Sequence, residues 1–190
     1  LNRQSLAIRE KLFGREHIET ANSLSNLAEV LFDQGKYVQA KSHAQHALRI
    51  TEKTLGPNHH KIAPILITLA LISHAQHNNS KAISLFERAL DIREKVLGQE
   101  HYQVGYILGN LGSIYVEERK YLKAESFYQR AVKIYEKYFK EGNLRPSFES
   151  TLNAYALLLR RTKRTAEAKD IEERAEAIRT QYAHKSATDN

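Results

Sequence analysis

The chain has no cysteine, no methionine and no tryptophan. Without cysteine there is no disulfide framework and no thiolate metal site. The same absence fits a reducing compartment, so a cytoplasmic location is expected. Without methionine the chain lacks an initiating residue and is expected to be a piece of a longer protein. Only 3 prolines and 8 glycines occur, which favours long helices over a turn-rich β fold. Long apolar runs are also missing. The most apolar stretch, 62–72, is interrupted by Pro64 and Thr68 and falls short of the roughly 18–20 residues that a membrane span needs. The first ten residues, LNRQSLAIRE, are too charged for the apolar segment of a secretory signal. GxSxG, the P-loop, GxGxxG and HExxH are all absent. No enzymatic activity and no cofactor are therefore expected.

Charge of neither sign is concentrated. The net charge of +7 divides into +4 over 1–95 (13 basic less 9 acidic) and +3 over 96–190 (16 less 13). A spread excess of this kind mainly favours solubility. With no interleaving of basic and aromatic residues suited to base stacking, nucleic acid ranks last among partner classes.

What the sequence does have is a period. REKLFGREH at 9–17, TEKTLGPNH at 51–59, REKVLGQEH at 93–101 and YEKYFKEGNLR at 135–145 are variants of one segment. Gly14, Gly56 and Gly98 lie 42 residues apart, and Gly142 follows 44 later. Ala40, Ala82, Ala124 and Ala168 keep the same spacing, as do Ala47, Ala89, Ala131 and Ala175. Self-similarity at a fixed period marks a repeat architecture. Each unit reads as two helices. In the first, Leu24, Leu27, Ala28 and Leu31 recur at helical spacing, Gln34-Gly35-Lys36 interrupts, and Tyr37, Ala40, Ala44, Ala47, Leu48 and Ile50 form a second apolar stripe ending at Gly56-Pro57. Ala28, Ala70, Gly112 and Ala156 are small where two helices must approach closely. Larger side chains there should overpack the seam by about 1–3 kcal/mol each.

The pattern Leu108-x2-Leu111-Gly112-x2-Tyr115 followed by Ala124-x3-Tyr128, and again Leu66-x2-Leu69-Ala70 followed by Ala82-x3-Phe86, resembles the tetratricopeptide repeat (TPR) family. The 42-residue period with its Ala89-Leu90-Asp91-Ile92-Arg93-Glu94-Lys95-Val96-Leu97-Gly98 junction is similar to the kinesin light chain subclass. The resemblance spans 5 to about 182. It implies an all-α, right-handed α-solenoid of antiparallel helix pairs, a TPR superhelix with nine helices in this chain. Residues 1–13 read as the second helix of a truncated preceding repeat. The units then fall at 14–56, 57–98, 99–142 and 143–182, the last with a capping outer helix, and 183–190 read as a disordered tail. Ser73, the His77-Asn78 pair and Glu172 depart from the pattern of the sister units.

In such proteins first helices line a concave groove and bind a peptide or helical segment of a partner. The resemblance therefore implies a protein-interaction scaffold. The alternatives are a self-association module, hence a homo-oligomer, or a regulatory sensor within a larger multidomain protein. The implied groove residues are Asn22, Ser25, Asn26 and Glu29; Pro64, Ile67, Leu71 and His74; Tyr106, Asn110, Ser113 and Glu117; and Asn153, Leu157, Arg160 and Arg161. Asn26 and Asn110 could clamp a partner's backbone, since an amide both donates and accepts, or could bond their own helices. Ile67 and Leu71 could be a ligand patch, a self-association surface or simple core. The run Arg160-Arg161-Thr162-Lys163-Arg164 could neutralise a helix C-terminus or receive an acidic partner. His43/His46 and His74/His77 have chelating spacing, but no metal is expected. His17, His59 and His101 follow the period, which assigns them to the junctions between repeats.

Overall fold

A computed structural model describes the backbone of residues 2–140 and 146–188 and the side chains of 4–139 and 147–181. Among the described residues every regular element is a helix: α1 (Asn2–Phe13), α2 (Ile18–Asp33), α3 (Tyr37–Leu55), α4 (Ile62–Ala75), α5 (Asn79–Leu97), α6 (Tyr102–Glu117), α7 (Tyr121–Lys140), α8 (Pro146–Arg161) and α9 (Thr165–Thr188). None is long and apolar enough to cross a membrane. The boundary read at 142/143 lies outside the described residues. The backbone of α9 continues through Thr188, into the stretch read from sequence as a tail; the side chains of that stretch lie outside the described set.

The chain forms two compact units, 1–98 and 99–190. In the first, successive helices pack on one another from α1 to α5, and α2 also packs on α4. In the second, α6 to α9 pack in the same succession, and α6 also packs on α8. First helices of neighbouring pairs thus touch within each unit. The corresponding second helices, α3 and α5 or α7 and α9, form no such packed pair among the described residues.

Repeated chemistry builds the hairpins. Each inner turn ends its helix with one residue in the left-handed region: Gly35 (φ 72), His77 (φ 58), Arg119 (φ 57) and Lys163 (φ 64). The next residue's N–H returns to a carbonyl five residues earlier: Lys36 to Leu31, Asn78 to Ser73, Lys120 to Tyr115 and Arg164 to Leu159, all at 2.8–2.9 Å. This is the Schellman closure, which satisfies carbonyls left open at a helix end. Only one of the four turns uses glycine, so the turn geometry is periodic although its residue type is not. The other junction is stricter. Gly56 (φ 85, ψ 161) and Gly98 (φ 83, ψ 158) close α3 and α5 in a conformation open essentially to glycine alone. That accounts for glycine at the period.

The small-residue positions are the seams. Ala40, Ala82, Ala124 and Ala168 are all fully buried, as are Ala47, Ala89 and Ala131. At Gly112 an added Cβ would lie 2.7 Å from Cε1 of Tyr128, so the glycine makes room for a ring that is itself buried. Ser73, which departs from the repeat pattern, is buried and donates its hydroxyl to the Leu69 carbonyl at 2.7 Å. The buried polar atom is satisfied within its own helix.

Candidate functional site

The junction histidines have a common task. Nδ1 of His17 accepts the Glu19 N–H at 3.2 Å, Nδ1 of His59 accepts that of Lys61 at 3.3 Å, and Nδ1 of His101 accepts that of Gln103 at 3.2 Å. His17 and His101 are the N-caps of α2 and α6. An acceptor at this place satisfies one of the unpaired N–H groups of the first turn. It also requires an unprotonated Nδ1, so the neutral ring carries its proton on Nε2. Of the spaced pair His43/His46, the second is engaged by a carboxylate. His46 lies 3.1 Å from Glu16, whose carboxyl is held below its usual range chiefly by that bond. Arg88 and Arg130, one and two periods after His46, donate to the Pro57 and Gln99 carbonyls at 2.6 and 3.5 Å. No group of three or more His, Asp or Glu suited to a metal ion occurs among the described residues.

The second unit contains a cleft of about 220 Å³ between α6 and α8, lined by Tyr106, Gly109, Asn110 and Ser113 on one side and Ser147, Ser150, Thr151 and Ala154 on the other. Gly109 sets its width: a Cβ there would come within 2.9 Å of Thr151 Oγ1. Asn110 donates from Nδ2 to the Tyr106 carbonyl at 2.8 Å. That bond holds the amide on its own helix and leaves its carbonyl oxygen as a group that can accept. Ser113 Oγ lies 3.0 Å from the Tyr128 hydroxyl. Burial raises the Tyr128 hydroxyl pKa, opposed by Ser113 and the nearby Arg161. Three residues read from sequence, Tyr106, Asn110 and Ser113, thus come together. Sequence reasoning missed Ser147, Ser150, Thr151 and Ala154. Carrying the α6 face forward by 44 residues gives Ser150, Asn153, Ala154 and Leu157, so the period reaches Ser150 and Ala154, while Ser147 and Thr151 depend on how α8 packs against α6.

The other sequence-derived residues of α8 lie elsewhere. Asn153 is exposed and Leu157 is 50% exposed. Arg160 is engaged by Glu172 of α9 through two bonds of 2.6 and 2.7 Å. Arg164 binds Glu125 and Glu167, each at 2.6 Å, joining α7 to the start of α9. Of the basic run, Arg160 and Arg164 therefore staple helices within the unit. Arg161 and Lys163 are exposed.

In the first unit Asn26 and Glu29 are exposed and Asn22 is partly so. Asn22 donates to Glu19 at 3.4 Å. Ser25, read as a groove residue, is buried; its counterpart Gly109 shows why, since this position sits where first helices approach. For α4, the sequence leaves Ile67 and Leu71 open between a ligand patch, a self-association surface and simple core. The structure leaves Pro64, Ile67, Leu71 and His74 partly exposed along one face. Partial desolvation by the surrounding helices, and then the Asp33 charge, push the Glu29 carboxyl above its ordinary value, while its side chain keeps access to solvent.

Paired helices repeated at 42 residues, with first helices packed on each other and, in the second unit, a polar cleft between them, define an all-α helical-repeat fold. A tetratricopeptide repeat profile matches residues 1–53, 19–95 and 62–137, and the chain belongs to that family. Its structural neighbours include kinesin light chain-like repeat proteins. BtubC (BKLC) from P. vanneervenii superposes with a TM-score of 0.84 at 21% identity, over 96% of this chain and 72% of that one. A putative kinesin light chain of Podosopora anserina with nearly identical TPR-like repeats gives 0.75 at 22%, over 96% and 85%. The apo form of RapI gives 0.80 at 17%, over 96% and 65%. At these identities the likeness concerns the fold. No curated protein sequence matches.

Proposed function

We propose that the chain is a protein-interaction module that holds an extended or helical segment of a partner protein against the faces of its first helices. The observation that carries this reading is the α6–α8 cleft, preformed and lined by hydroxyl and amide groups. A bound segment brings unpaired backbone N–H and C=O groups, and such side chains can satisfy them. Rigid paired helices reduce the ordering cost on the receptor side. The role is binding rather than catalysis, in keeping with the family's usual use as a scaffold. A cytoplasmic setting fits the absence of cysteine.

The test is affinity capture from nuclease-treated lysate, comparing wild type with Asn26→Ala/Asn110→Ala by quantitative mass spectrometry. Loss of a defined set of proteins from the double variant is the expected result. Identical sets would refute binding through these faces, and dependence on nucleic acid would refute a protein partner.

A further inference from the structure

The first unit sets an acid-edged row beside a partly exposed apolar row. On α2, Asn22, Asn26, Glu29 and Asp33 share one helix face by their spacing, and the last three are exposed. On α4, Pro64, Ile67, Leu71 and His74 form the partly exposed strip, while Ile65, Leu66, Leu69 and Ile72 fill the core. α2 and α4 pack directly on each other. The repeat period gives their register. In the second unit Tyr106, Gly109, Asn110 and Ser113 face Ser147, Ser150, Thr151 and Ala154. Carried back by the period, Asn22, Ser25, Asn26 and Glu29 face Lys61, Pro64, Ile65 and Thr68. One turn further, the same offset sets Asp33 level with Ile72, next in sequence to the partly exposed Leu71.

The charges of this face are one-sided at that end. Glu19 is paired with Arg9, and Lys61 lies at the opposite end of α4. Among the described residues neither Glu29 nor Asp33 has an ion-pair partner. The two carboxylates are one helical turn apart, and like charges at this spacing repel. The shift at Glu29, from partial desolvation and then from Asp33, is in the direction that an added cation would reverse. A partner cation here meets two acceptors that the protein itself leaves unneutralised, next to aliphatic surface that a bulky side chain would cover.

We propose that this face of the first unit selects a basic–aliphatic segment: Leu, Ile or Val side chains seated over Ile67 and Leu71, with a neighbouring Lys or Arg between Glu29 and Asp33. The inference rests on the protein-interaction reading above and adds to it the chemistry of the partner. A segment with acidic flanks is disfavoured, because its carboxylates would face Glu29 and Asp33.

Fluorescein-labelled synthetic peptides test it, with a Leu-Leu core flanked by Lys, Gln or Glu, and a Ser-Ser core flanked by Lys, each titrated with the whole chain by fluorescence anisotropy. The Lys-flanked Leu-Leu peptide is expected to bind at least about tenfold more tightly than the Glu-flanked one, with the difference shrinking as salt rises. Glu29→Gln/Asp33→Asn, which alters only exposed side chains, is expected to abolish the charge preference while retaining binding of the Leu-Leu core. Ile67→Ser/Leu71→Ser is expected to remove binding of both, with circular dichroism confirming that the helices persist. Equal affinity for Lys- and Glu-flanked peptides, or a preference that survives the Glu29→Gln/Asp33→Asn change, overturns the proposed chemistry and leaves the interaction reading standing. Absence of binding by every peptide overturns the proposed chemistry, and the capture experiment above then decides the interaction reading. Tight binding of the Lys-flanked Ser-Ser peptide shows charge alone at work and overturns the aliphatic part.

Discussion

Replacing His17, His59 and His101 together by alanine is expected to lower thermal stability measurably without changing the fold. Each imidazole accepts one backbone N–H at 3.2–3.3 Å: at His17 and His101 it is a first-turn N–H of α2 and α6, and at His59 it is that of Lys61, the residue before α4. Losing a side-chain cap costs about 0.5–2 kcal/mol. These bonds lie at the long end of the normal range, so about 0.5–1 kcal/mol each is expected. The three sites are a period apart and should add, giving about 1.5–3 kcal/mol. For a chain of this size each kcal/mol shifts the midpoint by about 2–4 °C, so the triple variant should melt about 3–12 °C lower. His17 also stacks on Phe13 with ring centroids 5.0 Å apart, and the His101 ring lies tilted against Tyr102 at 4.5 Å. A triple exchange to asparagine separates the two contributions, because it keeps an acceptor and removes the ring. The assay is the 222 nm circular dichroism melt of wild type, triple alanine and triple asparagine. Recovery of most of the loss by asparagine supports capping. An alanine variant that melts with wild type, or an asparagine variant no better than alanine, would refute the reasoning.

Gly112→Ala forces a Cβ to 2.7 Å from the Tyr128 ring and is expected to cost about 1–3 kcal/mol by overpacking, read as a lower urea midpoint; an unchanged midpoint would mean the seam has slack. Gly56→Ala places a Cβ in a glycine-only conformation and is expected to cost about 1–3 kcal/mol, although no neighbour lies within 4 Å of the added atom. A neutral result there would show that the junction can relax. Glu16, Glu100, Glu167 and Glu172 are held below the usual carboxylate value of 4.5, each chiefly by a hydrogen bond: from His46, Lys137, Arg164 and Arg160 respectively. Their contribution is complete above about pH 4.5 and is lost as pH falls through the lowered folded values. Glu29, raised by partial desolvation and Asp33, works in the opposite direction. The net expectation is a lower urea midpoint at pH 3 than at pH 6, and a midpoint that rises on acidification contradicts it.

Helix pairing, the family and most of the core were legible because they rest on local, periodic chemistry. A 42-residue recurrence of glycine and alanine states where helices stop and where they touch, and the buried alanines lie where the period puts them. The junction role of His17, His59 and His101 was legible for the same reason, although only coordinates show that Nδ1 is the atom used. The candidate site was legible in part. Tyr106, Asn110 and Ser113 follow from the face of α6. Of the opposing residues, the period reaches Ser150 and Ala154, while Ser147 and Thr151 depend on how α8 packs against it.

The sequence alone therefore determined the class of fold, the number and order of helices and the positions that must stay small, since backbone conformation and helical periodicity act over a few residues. Tertiary structure decided which long side chains are spent internally. Arg160 and Arg164 look from sequence like an open basic patch, yet Glu172, Glu125 and Glu167 engage them. α4 is apolar on every side, yet packing leaves Ile67 and Leu71 partly uncovered while its other faces fill the core. Both outcomes depend on groups brought together from different helices, and a linear pattern does not specify which group lies across a helix–helix contact.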